Sequence, residues 1–307
     1  MPDTNKLVEV EGISDKITAR RVARALLRRV PYFGNSSALF LVQAGFKVKF
    51  DEEGETALRL PKFGNYDRSK NLFDQREVLF RALIAWALKV RVIDPRRNFI
   101  DVGAANGDSA LSWSQLVGGT IYAIDPSAGN IDYLNSVART NGLTNIDAFV
   151  MAIGDSEGLL YPFSDVNHTY FTEQPMTRYG AKHPVGASSF DRLHQVGRIE
   201  NVGFLHLDVE GMELMALRGS LEMLKADRPI VAFESHITID DIDAIFAVLH
   251  SVGYVIYMIN EVTCGGRPDC VNFLAFPSAP SIELWNEVQP KGEYFKAMIG
   301  GNLIPVE

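Results

Sequence analysis

Asn98-Phe99-Ile100-Asp101-Val102-Gly103-Ala104-Ala105-Asn106-Gly107-Asp108-Ser109-Ala110 reads as strand, glycine turn and helix. Phe99 to Val102 are strand formers, Gly103 and Gly107 bracket a tight turn, and Ser109 to Trp113 resume at helical spacing. Glycine lets the backbone adopt positive φ and approach a ligand closely, and the helix that follows turns its first N–H groups towards the same place. A nucleotide-like ligand fits such a turn. Tight packing of an ordinary strand-to-helix connection accounts for the same glycines, so the next strand has to decide.

That strand, Thr120 to Ile124, ends in Asp125-Pro126, roughly twenty residues on, the offset at which a doubly wound fold places a ribose-binding carboxylate. Asp125 there accepts both ribose hydroxyls; the competing reading is a cap on the helix that starts near Ser127. Asp101 is a carboxylate inside a strand. It is costly to bury unpaired and calls for turn amides or a cationic ligand as partner. The glycine spacing is not the G-x-G-x-x-G of nicotinamide binders.

An acid ahead of the glycine turn and a second acid at the end of the next strand resemble the first two motifs of class I S-adenosylmethionine-dependent methyltransferases. With His206-Leu207-Asp208-Val209-Glu210-Gly211-Met212-Glu213 and Leu217-Arg218-Gly219, the chain resembles the FkbM-type methyltransferase family from about Arg97 to Phe276. Two positions depart from the family pattern: Ala105 stands where asparagine is common, with Asn106 one place on, and His206 stands where lysine is common. The resemblance implies an α/β, doubly wound Rossmann-like sheet that binds S-adenosylmethionine. On that basis Asp101, Gly103, Ala104, Asn106, Gly107 and Asp125 are the cofactor-side candidates, with Ala152 and Ile153, at the end of the third strand, beside the adenine. Simple sheet packing explains Ala152 and Ile153 equally well.

Composition bounds the rest. The 307 residues are 47% hydrophobic and 22% charged, which suits one large α/β domain with an extension. A net charge of -8 argues against nucleic acid as the main partner. No apolar run reaches membrane-spanning length and the first residues lack the apolar core of a signal peptide, so a cytoplasmic protein without a membrane span is expected. Cys264 and Cys270 are too few to hold zinc unaided, and Asn167-His168-Thr169 is a glycosylation-like triplet without a secretory context. A homo-oligomer is compatible with this composition, which does not specify one.

Three segments are expected: an N-terminal helical and hairpin extension over 1–93, the cofactor-binding domain over 94–280, and a C-terminal helix or lid over 281–307. In the first, Ser14 to Val30 reads as a basic amphipathic helix, and Phe46 to Phe50 with Ala57 to Leu60 as a β-hairpin. Leu72 to Val92 reads as a helix, with Leu79, Leu83, Trp86 and Leu88 apolar, that stops at Asp94-Pro95. In the second, Ile146 to Ile153 is the third strand. The polar and aromatic stretch Ser164 to Pro184, with His168, Tyr170, Phe171, Arg178, Tyr179 and His183, is long for a connection and suits either an acceptor mouth or a plain surface loop. Tyr254 to Asn260 and Val271 to Phe276 read as closing strands.

Phe204 to Asp208 and Ile230 to Phe233 are buried strands that end in acids, and ligands of open α/β sheets bind beyond such ends. Asp208, Glu210, Glu234 and His236 are therefore the catalytic candidates, as proton acceptor and acceptor anchor. A divalent cation held by the same carboxylates is a less favoured alternative for which no complete ligand set is nameable, and capping of the next helix by Asp208 and Glu210 is another. The function expected from the resemblance is O-methylation of a carbohydrate or secondary metabolite, a small-molecule or glycan acceptor. An NAD(P)-dependent oxidoreductase and a non-catalytic cofactor-binding subunit are the alternatives.

Overall fold

The computed structural model describes residues 8–11, 47–50, 80, 84, 87–88, 91–114, 116–164, 169–172, 183–236, 241–259, 270–280 and 303–306. Its strands are β1 (Val8–Glu11), β2 (Lys47–Phe50), β3 (Asn98–Val102), β4 (Ile121–Asp125), β5 (Ile146–Val150), β6 (Ala152–Ile153), β7 (Gly158–Ser164), β8 (Thr169–Thr172), β9 (Val185–Ser188), β10 (Val202–Leu207), β11 (Ile230–His236), β12 (Val255–Ile259), β13 (Cys270–Phe276) and β14 (Leu303–Val306). The helices are α1 (Asp108–Trp113), α2 (Ala128–Thr140), α3 (Phe190–Gln195), α4 (Glu213–Arg218), α5 (Leu221–Asp227) and α6 (Ile242–Ser251).

Eight strands form the main sheet in the order β14-β12-β13-β11-β10-β3-β4-β5. From β11 to β5 the pairs are parallel, whereas β13, β12 and β14 add antiparallel. The chain runs outward from β3 through β4 to β5, then returns to lay β10 against the other side of β3. That reversal is the topological switch point of a doubly wound sheet, as the sequence predicts, and it opens a crevice above β3 and β10.

Both faces of the sheet are covered, so its central strands read as unbroken buried runs rather than alternating ones. All six residues of β10 are buried. On one face Phe99 and Phe204 pack with Trp113 of α1 and with Tyr133, Leu134 and Val137 of α2. On the other, Ile100, Leu205 and Phe233 pack with side chains of α3, α4, α5 and α6.

The helix expected before Asp94 is present at Phe80, Ile84, Ala87 and Leu88, all buried in the first of these clusters at helical spacing. Leu79, Leu83 and Trp86 lie outside the described residues. Phe80 meets Trp113 edge-on, with ring centres 6.3 Å apart, and stacks on His206 at 5.1 Å. The helix thus completes the core of the sheet, although it precedes the segment that supplies the strands.

Three local readings take a different form. β2 pairs with β1, Val10 opposite Val48, where a partner at Ala57 to Leu60 was expected; those residues and the Ser14 to Val30 helix lie outside the described residues. The third strand is two strands, because the chain leaves the main sheet at Met151: β6 joins a second sheet, β6-β9-β7-β8. Finally, the C-terminal segment, expected to be a helix or lid, ends as β14 on the edge of the main sheet, with Pro305 opposite Tyr257. An edge strand accommodates a residue that has no N–H to donate.

Phe80→Ala should lower the stability of the whole sheet by about 3 to 5 kcal/mol, the usual cost of emptying a buried phenylalanine site. Urea unfolding followed by tryptophan fluorescence should shift as one transition. A helix that folded as a separate unit would instead leave the main transition in place.

Candidate active site at the switch point

A cleft of about 470 Å³ opens at the crevice, within the size range of small-molecule and cofactor sites. Its walls come from the turn after β3, the ends of β4 and β5, the loop after β10 and the second sheet, so every strand end at the switch point contributes.

Gly103 has φ 75, and a Cβ built on it would overlap the carbonyl oxygen of Asp208. The Asp208 N–H donates to the Val102 carbonyl at 3.0 Å, so the turn and the end of β10 are in direct backbone contact. Gly103 therefore has to be glycine for the fold as well as for any ligand. Gly107 is different: it is buried, and a Cβ there would strike Leu134 of α2, so its missing side chain serves the packing of the turn on that helix. Ala104 is buried beside it, donating to the Ile124 carbonyl at 3.1 Å. Neither Ala104, Asn106 nor Gly107 lines the cleft; Ala105 does.

Ala105 has φ 45, a left-handed conformation that asparagine tolerates better than alanine. This gives a backbone reason for the asparagine common at this position in the resembled family. The Asn106 side chain lies elsewhere, with Oδ1 buried and unpaired.

Asp125 lines the cleft at the end of β4 and is 6% exposed. Its Oδ2 accepts from the Ala105 N–H at 2.9 Å; its Oδ1 accepts from the Ser127 N–H at 2.8 Å and from Asn130 Nδ2 at 3.1 Å. The capping and ligand-binding readings of Asp125 are thus compatible, because a carboxylate offers about four acceptor positions and these bonds occupy three. Accepting both ribose hydroxyls requires one of these donors to move. Burial pushes the Asp125 carboxyl above its ordinary value, against the lowering effect of the bonds from Ser127, Ala105 and Asn130.

Asp101 sits one row beneath the cleft and does not line it. It is 1% exposed, and its Oδ1 lies 2.8 Å from His206 Nδ1 on the neighbouring strand. The partner that the sequence requires for this buried carboxylate is therefore a side chain, and a histidine at the position where the family commonly has lysine. Phe80 and Trp113 pack against the imidazole.

Beside the turn, the loop after β10 contributes a wall of Asp208, Val209, Glu210 and Met212. Glu210 is left-handed, with φ 51, and Gly211 has φ 94. Glu213, a residue without an assigned role in the sequence reading, is 2% exposed and reaches back to this loop: Oε1 accepts from the Val209 N–H and Oε2 from the Gly211 N–H, each at 3.0 Å. Ala152 and Ile153 line the cleft at the end of the third strand segment, as do Pro162 and Val185 of the second sheet. These two residues flank the Ser164 to Pro184 stretch. Of its singled-out side chains, His183 is exposed and the others lie outside the described residues.

Among the catalytic candidates, the structure brings Asp208 and Glu210 to the cleft. Glu234 is half-buried on β11, opposite Asn272 of β13, and is not among the lining residues; His236 continues the same strand, with its side chain outside the described residues. β11 stands one strand beyond the switch point, which separates its end from the crevice. Among the described residues, no group of three or more His, Cys, Asp or Glu comes together in a manner that would hold a metal ion, and no helix is long and apolar enough to cross a membrane.

Residues 101–256, slightly over half of the chain, match the model of the methyltransferase FkbM domain. No curated protein matches. Among solved structures, the chain is similar to a methyltransferase FkbM from Methylobacillus flagellatus, at 16% identity over 82% of this chain and with a TM-score of 0.44; it spans 60% of the length of that protein. It is also similar to an O-methyltransferase from Bacillus cereus in complex with SAH, at 11% identity, covering 85% of this chain and 97% of the other, TM-score 0.43. A third is a SAM-dependent methyltransferase from Aquifex aeolicus, at 15% identity, covering 71% and 100%, TM-score 0.38.

Ala105→Asn should stabilise the protein by about 0.5 to 1 kcal/mol, because it relieves a left-handed alanine. Ala105→Val should do the opposite, since a β-branched side chain is poorly accommodated there. Thermal unfolding of the two variants beside the parent checks the order.

Proposed function

The chain belongs to the methyltransferase FkbM domain family of S-adenosylmethionine-dependent enzymes, and from that premise we propose that it methylates a hydroxyl oxygen of a carbohydrate or secondary metabolite in the cleft at the switch point. The observation that carries the reading is a shared lining. The Gly103 turn and Asp125 line the same cavity as Asp208 and Glu210.

Gly103, Asp125, Ala152 and Ile153 fit the cofactor. Gly103 leaves the backbone bare at the turn, Asp125 keeps one acceptor position for a ribose hydroxyl, and Ala152 and Ile153 offer an apolar surface suited to an adenine face. S-adenosylmethionine supplies there a methyl group on a sulfonium, open to in-line displacement by an oxygen. What this chain adds is placement of the acceptor, removal of its proton and exclusion of water.

A sugar hydroxyl is a weak nucleophile at neutral pH. Asp208 is the proton acceptor in this reading: the O–H bond breaks as the O–CH₃ bond forms, and the proton passes to the carboxylate. Glu210 anchors the acceptor beside it. Pro162, Val185 and Met212 give the acceptor side an apolar border, suited to the C–H face of a sugar or to a metabolite ring. The reading assigns acceptor selection to the Ser164 to Pro184 stretch, whose sequence neighbours Pro162 and Val185 line the cleft. Glu234 and His236 belong to the next strand end, away from this chemistry.

Transfer of labelled methyl from S-adenosylmethionine to a panel of monosaccharides, glycosides and aromatic or aliphatic alcohols, with and without chelator, tests the reading. Asp208→Asn should lower turnover of the best acceptor by roughly a hundredfold or more, with activity insensitive to chelator. Near-normal turnover in that variant would leave positioning alone as the source of rate. Chelator sensitivity would bring back the cation.

Asp125→Ala should weaken S-adenosylmethionine binding by about thirtyfold, through loss of a charge-assisted bond and of the turn geometry it holds. Affinity should also fall as the pH is lowered through the raised pKa of Asp125, because the protonated carboxyl is a poorer acceptor of the ribose hydroxyl. For the fold the same shift works in the other direction. The folded state holds this proton more tightly than the unfolded chain, so the contribution of Asp125 to stability is greatest at low pH and declines as pH rises from the ordinary value of 3.8 through the raised one. Calorimetric titrations at several pH values should show the decline in affinity. A flat profile would remove Asp125 from the ribose.

A further inference from the structure

We infer that Glu213 is a positioning residue, a buried carboxylate that clamps the Asp208 to Met212 wall in its working shape before any ligand arrives. The inference rests on the reading above, in which that wall holds the acceptor.

Four observations converge on it. Glu213 opens α4 yet does not face solvent, as an acid in a first helical turn ordinarily does; it is 2% exposed. Its two oxygens are spent on backbone N–H groups two residues apart, those of Val209 and Gly211. Between those amides stands Glu210 at φ 51, a conformation that costs a non-glycine residue free energy and persists only when its surroundings impose it. At its other end the loop is fixed by the Asp208 N–H to Val102 carbonyl bond and by the bare backbone of Gly103.

Ordinary helix capping does not explain this arrangement. A cap satisfies N–H groups of its own helix or, in a capping box, that of the N-cap residue, whereas the amides bound by Glu213 lie ahead of the Met212 N-cap, and Val209 lines the cleft. With those N–H groups held, the carboxylates of Asp208 and Glu210 keep a fixed offset from the glycine turn. Without them Glu210 relaxes towards negative φ and the wall loses its shape. A wall set in advance spares the reaction the cost of ordering it, which appears in turnover rather than in the affinity for a cofactor held by the Gly103 turn and Asp125.

The test compares the full-length parent with Glu213→Gln, which keeps one acceptor oxygen and sets an N–H₂ against the other amide. Residue-resolved hydrogen exchange by NMR on the ligand-free proteins should show the Val209 and Gly211 amides exchanging about tenfold faster or more in the variant, with the Asp208 amide little changed. Affinity for S-adenosylhomocysteine should stay within about threefold, while turnover of whichever panel acceptor the parent methylates best should fall at least about tenfold. Unchanged exchange at both amides overturns the clamp. Faster exchange with undiminished turnover overturns its role in positioning, as does a loss of S-adenosylhomocysteine affinity equal to the loss of turnover. If Glu213→Gln does not fold, Glu213→Asp, which keeps the charge but is one methylene shorter, carries the same readouts. If the parent methylates no hydroxyl acceptor, the O-methylation reading fails while exchange and binding still decide on the clamp.

Discussion

The contact between the Gly103 turn and the end of β10 is the constraint on which the rest of the site depends. Two parallel strands that diverge in connectivity at a switch point leave room for a ligand between their C-terminal ends. Here the two strand ends meet through backbone, since the Asp208 N–H reaches the Val102 carbonyl and no side chain fits between Gly103 and the Asp208 carbonyl. The turn and the loop after β10 therefore share one backbone contact. A displacement of either strand end would move both the turn and the acids of the loop.

Strain is placed on both sides of that contact. Ala105 in the turn and Glu210 in the loop are both left-handed without being glycine, and each is held by a carboxylate: Asp125, twenty residues on, at the Ala105 N–H, and the nearby Glu213 at the N–H groups flanking Glu210. Charge-assisted bonds to backbone amides are strong enough, at about 1.5 to 3 kcal/mol, to offset a left-handed residue at about 1 to 2 kcal/mol. Several acids that look chemical in the sequence are thus mechanical. Asp125 divides its lone pairs between the turn, the start of α2 and the cleft, and Asp101 turns to His206 beneath it.

This division explains what the sequence made legible. The strand, turn and helix around Gly103, the acid that ends β4 and the acid that follows β10 are local patterns whose physics acts over a few residues, so they could be read in place, and the doubly wound order followed. Departures arise where the deciding contact is distant in sequence. The exit of the chain from the sheet at Met151 depends on pairing with β9, and β14 depends on the free edge of β12. Gly107 looks like a ligand-side glycine until Leu134 is seen against it. Glu213 lies inside a quoted motif, yet spacing does not reveal that its carboxylate folds back onto amides two and four residues earlier. Glu234 shares the acid-at-strand-end signature of Asp208, but sheet order, invisible in a one-dimensional pattern, sets it one strand away from the crevice.

The departure at His206 ties the N-terminal helix to the site. An ammonium on a four-carbon stem is a point charge that asks its surroundings for several acceptors, whereas an imidazole is planar and buries its faces against aromatic rings. In this chain His206 has such rings on two sides: Phe80 stacked at 5.1 Å, from the helix ahead of the sheet, and Trp113 edge-on at 5.4 Å, from the helix after the glycine turn. Its Nδ1 meanwhile meets Asp101, so the buried carboxylate beneath the cleft keeps a partner. Phe80 is therefore more than filler. By supplying a stacking face it lets a histidine occupy a lysine position, and this couples the residues before Asp94 to the strand that carries Asp101 into the glycine turn.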